Sequence, residues 1–321
     1  MTANSSATLQ TAPPLSPARA GLWWGLLGVA AFSFTVPFTR MVVDGGGMSP
    51  LFVSCGRAVV AAALAAIALG VTRQRRPRGR QWARLAIVAG GVVFGFPVLT
   101  TFALATASAS HSVVVIAVLP AVTAVLVVLR VRERPRASFW VTAVLGAVAA
   151  VGFAAVQGGG LGGLHHADLL LIGAVVACGF GYAEGGLLAR ELGAWQTISW
   201  ALVLAAAPMA LLTGVSLVQD PPTGTPLDWA LFGYLGVVSM FLGFFAWYRG
   251  LAIGPMAQVS QVQLVQPVLS ICWAALLLHE QLTWATVLGG AAVIACAGTA
   301  VRSRLRQPDG AEHRPASGRL G

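Results

Sequence analysis

The chain contains no lysine, so all 20 of its Lys and Arg positions are arginine. Charged residues of either sign make up only 9% of the 321 positions. A soluble chain of this length could not cover its apolar surface with so few charges. Cysteine is equally sparse. Cys55, Cys178, Cys272 and Cys296 stand singly in four separate apolar segments, without the spacing of a disulfide framework or a zinc site. They read as small apolar fillers. No Gly-rich loop follows a strand-like segment, which excludes dinucleotide and P-loop sites, and nothing in the chain is suited to bind ATP. The sequence His165-His166-Ala167-Asp168 has no further ligand cluster beside it, so neither a metal nor a cofactor is expected.

Apolar length is what the chain has in quantity. Hydrophobic residues make up 57% of it, and the mean hydropathy is +0.80. A spanning helix needs about 20 largely apolar residues. Ten such runs can be read, roughly at 21–43, 49–70, 82–105, 110–130, 138–157, 168–189, 196–217, 229–250, 257–278 and 283–302. The expected fold class is therefore all-α, a polytopic membrane protein of ten transmembrane helices. The first run could be taken for a secretory signal, but it is long, contains Pro37, ends at Arg40 and has a counterpart in the second half. Residues 1–20, rich in Ser, Thr, Ala and Pro, and the basic segment 303–321 read as disordered tails.

The runs repeat. Pro120 and Pro267 lie 147 residues apart, and so do Glu133 and Glu280. Each Pro sits within a long apolar run and each Glu closes it. Phe34 and Phe180, in similar segments, lie 146 residues apart. The chain divides into a first five-helix repeat at 21–157, an outer linker at 158–167 and a second five-helix repeat at 168–302. Five helices is an odd number, so the second repeat enters the membrane from the opposite side and the pair is inverted. Inverted repeats give two near-equivalent packings, one open to each side, which is the basis of alternating access.

Arginines sit in alternate loops. Arg73, Arg75, Arg76, Arg78, Arg80 and Arg84 fall between runs two and three, and Arg130, Arg132, Arg134 and Arg136 between runs four and five. Arg190 and Arg249 end runs six and eight, and Arg302, Arg304 and Arg306 follow run ten. The other loops hold only Arg40 among Asp44, His111, His165, His166, Asp168, Asp220, Asp228 and Glu280. This pattern is topological, and it places both termini in the cytoplasm. It removes the nucleic-acid reading that a net charge of +10 invites. Trp23, Trp24, Trp82, Trp140, Trp195, Trp229 and Trp284 all fall near run ends, where interfacial anchors belong. Glycines such as Gly28, Gly90, Gly91 and Gly181 read as points of close helix approach.

Three segments carry a resemblance. They are FSFTVPFTR in run one, FALATASAS leading into VLPAVTAVLVVLRVRE, and YRGLAIGPMAQVS leading through VQPVLSICWAALLLHE. The last two share a small-residue turn, a mid-helix Pro and a closing Glu. In these features the chain resembles the EamA-type members of the drug/metabolite transporter superfamily, over roughly residues 21–302. The resemblance implies a transporter in the cytoplasmic membrane, exporting a small metabolite or toxic compound at the expense of the proton gradient. Import or exchange of amino acids or related solutes is the alternative. One departure is Glu184, where such proteins more often carry an uncharged residue. The partners implied are a small-molecule substrate, the lipid bilayer and protons as coupling ion; a homodimer is left open.

The candidate site residues follow from polarity at depth. Pro120 and Pro267 each remove a backbone donor, which frees the carbonyls of Ile116 and Gln263 near the bilayer midplane and kinks both helices. Gln263, Gln266 and Ser270 share one face of run nine and form either interhelical hydrogen bonds or a polar cavity wall. Ser33, Thr35 and Tyr182 add hydroxyls to the candidate substrate site. Arg57 lies about seven residues inside run two, roughly 10 Å deep. It either contacts substrate or snorkels outward. Glu184 lies about six residues from the cytoplasmic end of run six, roughly 9 Å deep. A carboxyl among apolar neighbours is costly to ionise, so Glu184 is the candidate proton-coupling residue, with a structural pairing as the alternative. An intramembrane enzyme would need catalytic groups paired at one level, and no such pairing is present. A passive channel suits the inverted repeat less well.

Reporter fusions test the topology. Fusions at residues 75 and 310 should read cytoplasmic and one at 162 external; a cytoplasmic signal at 162 overturns the inverted arrangement.

Overall fold

The computed structural model describes residues 17–131, 165–253, 265–284 and 286–292, together with single positions at 137, 141, 144, 145, 148, 259, 262, 263 and 295. Both expected tails for most of their length, most of the fifth run, the start of the ninth, much of the tenth and residues 158–164 of the linker lie outside them. Every regular element among the described residues is helical. In a membrane this is the chain's way to satisfy its own backbone donors and acceptors without water.

The first span is α1 (Pro17–Ser33) continued by α2 (Thr35–Asp44). Next comes α3 (Pro50–Val71), which starts on the Ser49 hydroxyl accepting from Phe52 N at 3.2 Å, with Pro50 at the first turn where no donor is missed. The third span joins α4 (Arg80–Val88) to α5 (Phe96–Leu104), and the fourth is α6 (Ala109–Ile116) with α7 (Leu119–Val131). The second half supplies α8 (His166–Leu192), α9 (Ala194–Gln219), the pair α10 (Pro226–Tyr234) and α11 (Gly243–Ile253), and α12 (Val265–Leu277).

Seven helical segments are long and apolar enough to cross a bilayer: Arg19–Asp44, Pro50–Val71, Arg80–Leu104, Ala109–Arg130, His166–Leu192, Ala194–Gln219 and Pro226–Ile253. These seven are the spans among the described residues, and α12 is an eighth, shorter apolar helix; most of the fifth and much of the tenth of the ten expected runs lie outside those residues.

The halves echo each other in ways the runs did not foretell. The third and eighth runs each contain a π-helical stretch, at Ala89–Gly95 and Leu235–Leu242, at the spacing that relates Phe34 to Phe180. The packing pairs also exchange between halves. Helix α1 lies against α11 while α8 lies against α4 and α5, and α3 packs along α9 as α6 packs against α12.

Two of these crossings depend on glycine. A Cβ on Gly91 would stand 2.2 Å from the Ala177 carbonyl oxygen, and one on Gly28 would stand 2.9 Å from the Trp247 nitrogen. Lipid offers no hydrophobic drive for helix association, so close backbone contact has to supply dispersion energy instead. Gly90 behaves differently from the sequence expectation: a Cβ there meets nothing within 4 Å. The outer surface is apolar, with Leu27, Ile67, Val71, Leu211 and Val218 exposed as lipid-facing residues would be.

Gly91→Ala should therefore destabilise the protein by about 1–3 kcal/mol, since the clash is with backbone and has no side chain to yield. Gly90→Ala is the matched control. A thermal melt of the two purified variants checks this: an unchanged midpoint for Gly91→Ala would show that the α4–α8 crossing is looser than described.

A narrow cavity between broken helices, and a charge cluster

Proline sets the local geometry of the site. Pro37 has no N–H to offer the carbonyl four residues back, which is that of Ser33. The freed Ser33 carbonyl accepts the Ser270 hydroxyl from α12 at 2.7 Å. Ser33 Oγ donates to the Ala30 carbonyl at 2.7 Å and accepts from Trp273 Nε1 at 3.1 Å. Phe34 stacks on Trp273 with ring centroids 4.5 Å apart. The break in the first span is thus bound to α12 by two polar bonds and a ring stack.

A second break separates α6 from α7 at Ala117 and Val118, just before Pro120. A third lies ahead of Pro267, where Gln263 sits in a turn. Here the sequence expectation needs correcting. The Gln263 carbonyl is not left open, because the Gln266 N–H reaches it at 3.0 Å in a tighter turn.

Between these breaks lies a cavity of about 20 Å³, lined by Val36, Val113, Ile116, Ala117, Leu119, Pro120, Gln263, Gln266, Pro267 and Ser270. It brings together Gln263, Gln266, Ser270, Pro120 and Pro267 from the sequence candidates, and adds Ser33 through its bond to Ser270. Tyr182 stands behind the wall as a hydrogen-bond partner of the Gln263 side chain. Gln266 Oε1 is buried with no hydrogen-bond partner among the described residues. A volume of this order holds one water and no metabolite. The cavity is narrow, and a metabolite-sized solute fits only if its walls part.

The other candidates lie elsewhere. Thr35 shares a hydrogen bond of 2.7 Å with Ser239. Arg57 is 2% exposed and donates to Thr39 Oγ1 at 3.3 Å, so it does not snorkel to an interface. Glu184 differs most from expectation. Its Oε2 pairs with Arg84 Nε at 2.7 Å and its Oε1 with Arg130 Nε. Arg84 also reaches Glu191 at 2.5 Å. The carboxyl is not among apolar neighbours: two guanidinium groups from neighbouring helices compensate it, the structural pairing that was the alternative reading. The reason is reach: Arg84 and Arg130 lie near span ends, and long side chains carry their charge inward along apolar stems. The cluster ties the third, fourth and sixth runs together on the arginine-rich side. These two arginines were visible in the sequence only as loop charges.

The opposite side has its own ties. His111 Nε2 and Asp168 Oδ1 are 2.6 Å apart, joining the halves. Glu280 accepts from the backbone N–H groups of Ala109 and Ser110 at 2.8 and 2.9 Å, holding the first turn of α6. Asp168 also accepts from His165 N at 2.9 Å, so the His-rich segment serves to start α8. Among the described residues no three His, Cys, Asp or Glu side chains group as a metal site would need.

Comparison with known proteins adds to this geometry. A model of the EamA-like transporter family matches residues 19–155 and again 165–301. The chain is 42% identical over 282 residues to the uncharacterized transporter YdeK of Bacillus subtilis (strain 168), covering 87% of this chain and 96% of that protein. A solved crystal structure shares the fold with a TM-score of 0.61 at 18% identity, over 90% of this chain and 99% of that one.

Removing the Glu184 charge leaves Arg130 without its carboxylate and Arg84 with only the exposed Glu191. Glu184→Gln should lower stability by about 1–3 kcal/mol, less than a fully buried pair would lose because both arginines retain some water. Glu191→Gln should change it by less than about 1 kcal/mol. Thermal melts of both variants decide the matter, and equal losses would refute the ranking.

Proposed function

The chain belongs to the EamA-like transporter family, and we propose that it exports a small metabolite or drug-like solute across the cytoplasmic membrane by alternating access. One observation supports this reading above the others. Gln266 presents an amide oxygen, unpartnered among the described residues, in a narrow cavity at the meeting point of three proline-broken helices. An amide left unsatisfied in an apolar interior is destabilising unless something hydrogen-bonds it during the working cycle. A solute donor does so when the cavity opens.

The ties on the two sides explain how opening alternates. On the arginine-rich side Glu184 holds Arg84 and Arg130; on the other, Asp168 holds His111 and Glu280 holds the start of α6. With both sets formed, the cavity is too narrow for a solute. Parting one set while the other stays closed admits solute from one side only. The breaks at Pro37, Pro120 and Pro267 provide the bending points, since a helix already lacking a backbone bond bends there at least cost. Glu184 acts in this reading as a latch on the cytoplasmic side, in place of proton coupling. In this reading the chain works as a carrier.

Accessibility labelling tests the cycle without knowledge of the solute. Ile116→Cys, in a background where Cys55, Cys178, Cys272 and Cys296 are replaced by Ala, should react with a membrane-impermeant maleimide from either face of oriented vesicles. Pro267→Ala should insert normally and slow that labelling roughly tenfold, the effect of about 1.4 kcal/mol on the opening barrier. Labelling from one face only would overturn alternating access. An unchanged rate in Pro267→Ala would reduce the kink to packing.

A further inference from the structure

Among the described residues one arginine is both buried and without a carboxylate partner. Among the described residues, Asp44 pairs with Arg40, Asp168 with His111, and Glu184 and Glu191 with arginines. Asp228 accepts from the start of α10 and Glu280 from the start of α6. Asp220 is exposed at the end of α9. None of them reaches Arg57, which sits in α3 with 2% of its surface exposed. Its Nε has no hydrogen-bond partner among the described residues, and its bond to Thr39 is long, at 3.3 Å, to a neutral hydroxyl. A guanidinium stays charged in proteins. Buried in a membrane with neither counter-ion nor full hydrogen bonding, it is unfavourable by several kcal/mol. Such a residue needs an anion in at least one state of the cycle.

Its position says which anion. Thr39 and Val36 are three residues apart on α2, neighbours on one face, and Val36 lines the narrow cavity. Arg57 therefore binds one helical turn beyond the cavity wall, about 4.5 Å along the axis. The free edge of its fork suits a planar carboxylate. One unpaired cation balances one negative charge, so a dianionic phosphate or sulfate would carry charge to spare. Among the described residues the cavity lining is otherwise apolar apart from Gln263, Gln266 and Ser270, and none of them is a carboxylate. An α-amino acid would bring an ammonium group with nothing there to balance it.

We infer that the solute of this carrier is an organic monocarboxylate with an apolar or aromatic body and no ammonium group, its carboxylate held by Arg57 and its body by the widened cavity between α2, α6, α7 and α12. The inference rests on the carrier reading above. It adds direction: an interior-negative potential drives such an anion outward with no need of a proton-binding residue.

Ligand-induced thermal shift on the purified full-length protein tests it, using benzoate, phenylacetate and indole-3-acetate as probes, each beside its neutral carboxamide, with phenylalanine as the zwitterion. The carboxylates should stabilise, and the carboxamides and phenylalanine should bind at least roughly tenfold more weakly. Arg57→Lys keeps the charge without the fork and should weaken carboxylate binding by about tenfold; Arg57→Met should abolish it. No stabilisation by any of the three carboxylates overturns the proposal. So does equal stabilisation by the carboxamides or phenylalanine, or a carboxylate response that survives in Arg57→Met. If Arg57→Met does not fold, the comparison in the unsubstituted protein and in Arg57→Lys still decides. Flux in proteoliposomes separates the two readings. Carboxylate binding without carboxylate movement overturns the carrier and leaves the anion site. Carboxamides moving as fast as carboxylates overturn the anion site and leave the carrier.

Discussion

Everything in this protein depends on one constraint: the bilayer core holds no water to complete an unfinished backbone hydrogen bond. A proline in such a helix frees a carbonyl, and the carbonyl must find a partner within the protein. The freed carbonyl of Ser33 finds the Ser270 hydroxyl on another helix. That of Gln263 is taken by Gln266 through a local tightening. Each solution moves a polar group toward the same place, so the helix breaks and the polar cavity have one cause.

A cavity of this kind is useful only if it can open. The narrow volume leaves no space for a metabolite, and in the proposed cycle the polar ties on each side keep it so. They are of different chemical kinds. The arginine-rich side uses two guanidinium groups on one carboxylate, while the other uses a His–Asp pair and a carboxylate on a helix start.

Packing supplies the rigid bodies between which the ties act. Gly91 against Ala177 and Gly28 against Trp247 bring helices of opposite halves to backbone contact. The π-helical stretches at Ala89–Gly95 and Leu235–Leu242 occupy corresponding places in the third and eighth runs. A π turn widens a helix locally and recurs at functional positions. Its appearance in both halves, from unlike sequences (AGGVVFG and LGVVSMFL), is a property of the repeat and not of any single residue.

Much was legible without coordinates. Apolar run length announces spanning helices because hydrocarbon thickness sets it, and the recurrence of Pro120 and Glu133 at Pro267 and Glu280 announces two similar halves. The face shared by Gln263, Gln266 and Ser270 is a consequence of helical period alone, and the cavity contains all three. The partners of long side chains were beyond reading. Glu184 looked isolated because Arg84 lies 100 positions and Arg130 54 positions away in the chain. Arg57 looked able to reach the interface, and only the packing of α3 against α2, α5 and α9 shows it enclosed. Periodicity reports which face a residue occupies, because the helix is a local structure. Which charge meets which is decided by how helices distant in sequence cross, and that information exists only in the folded chain.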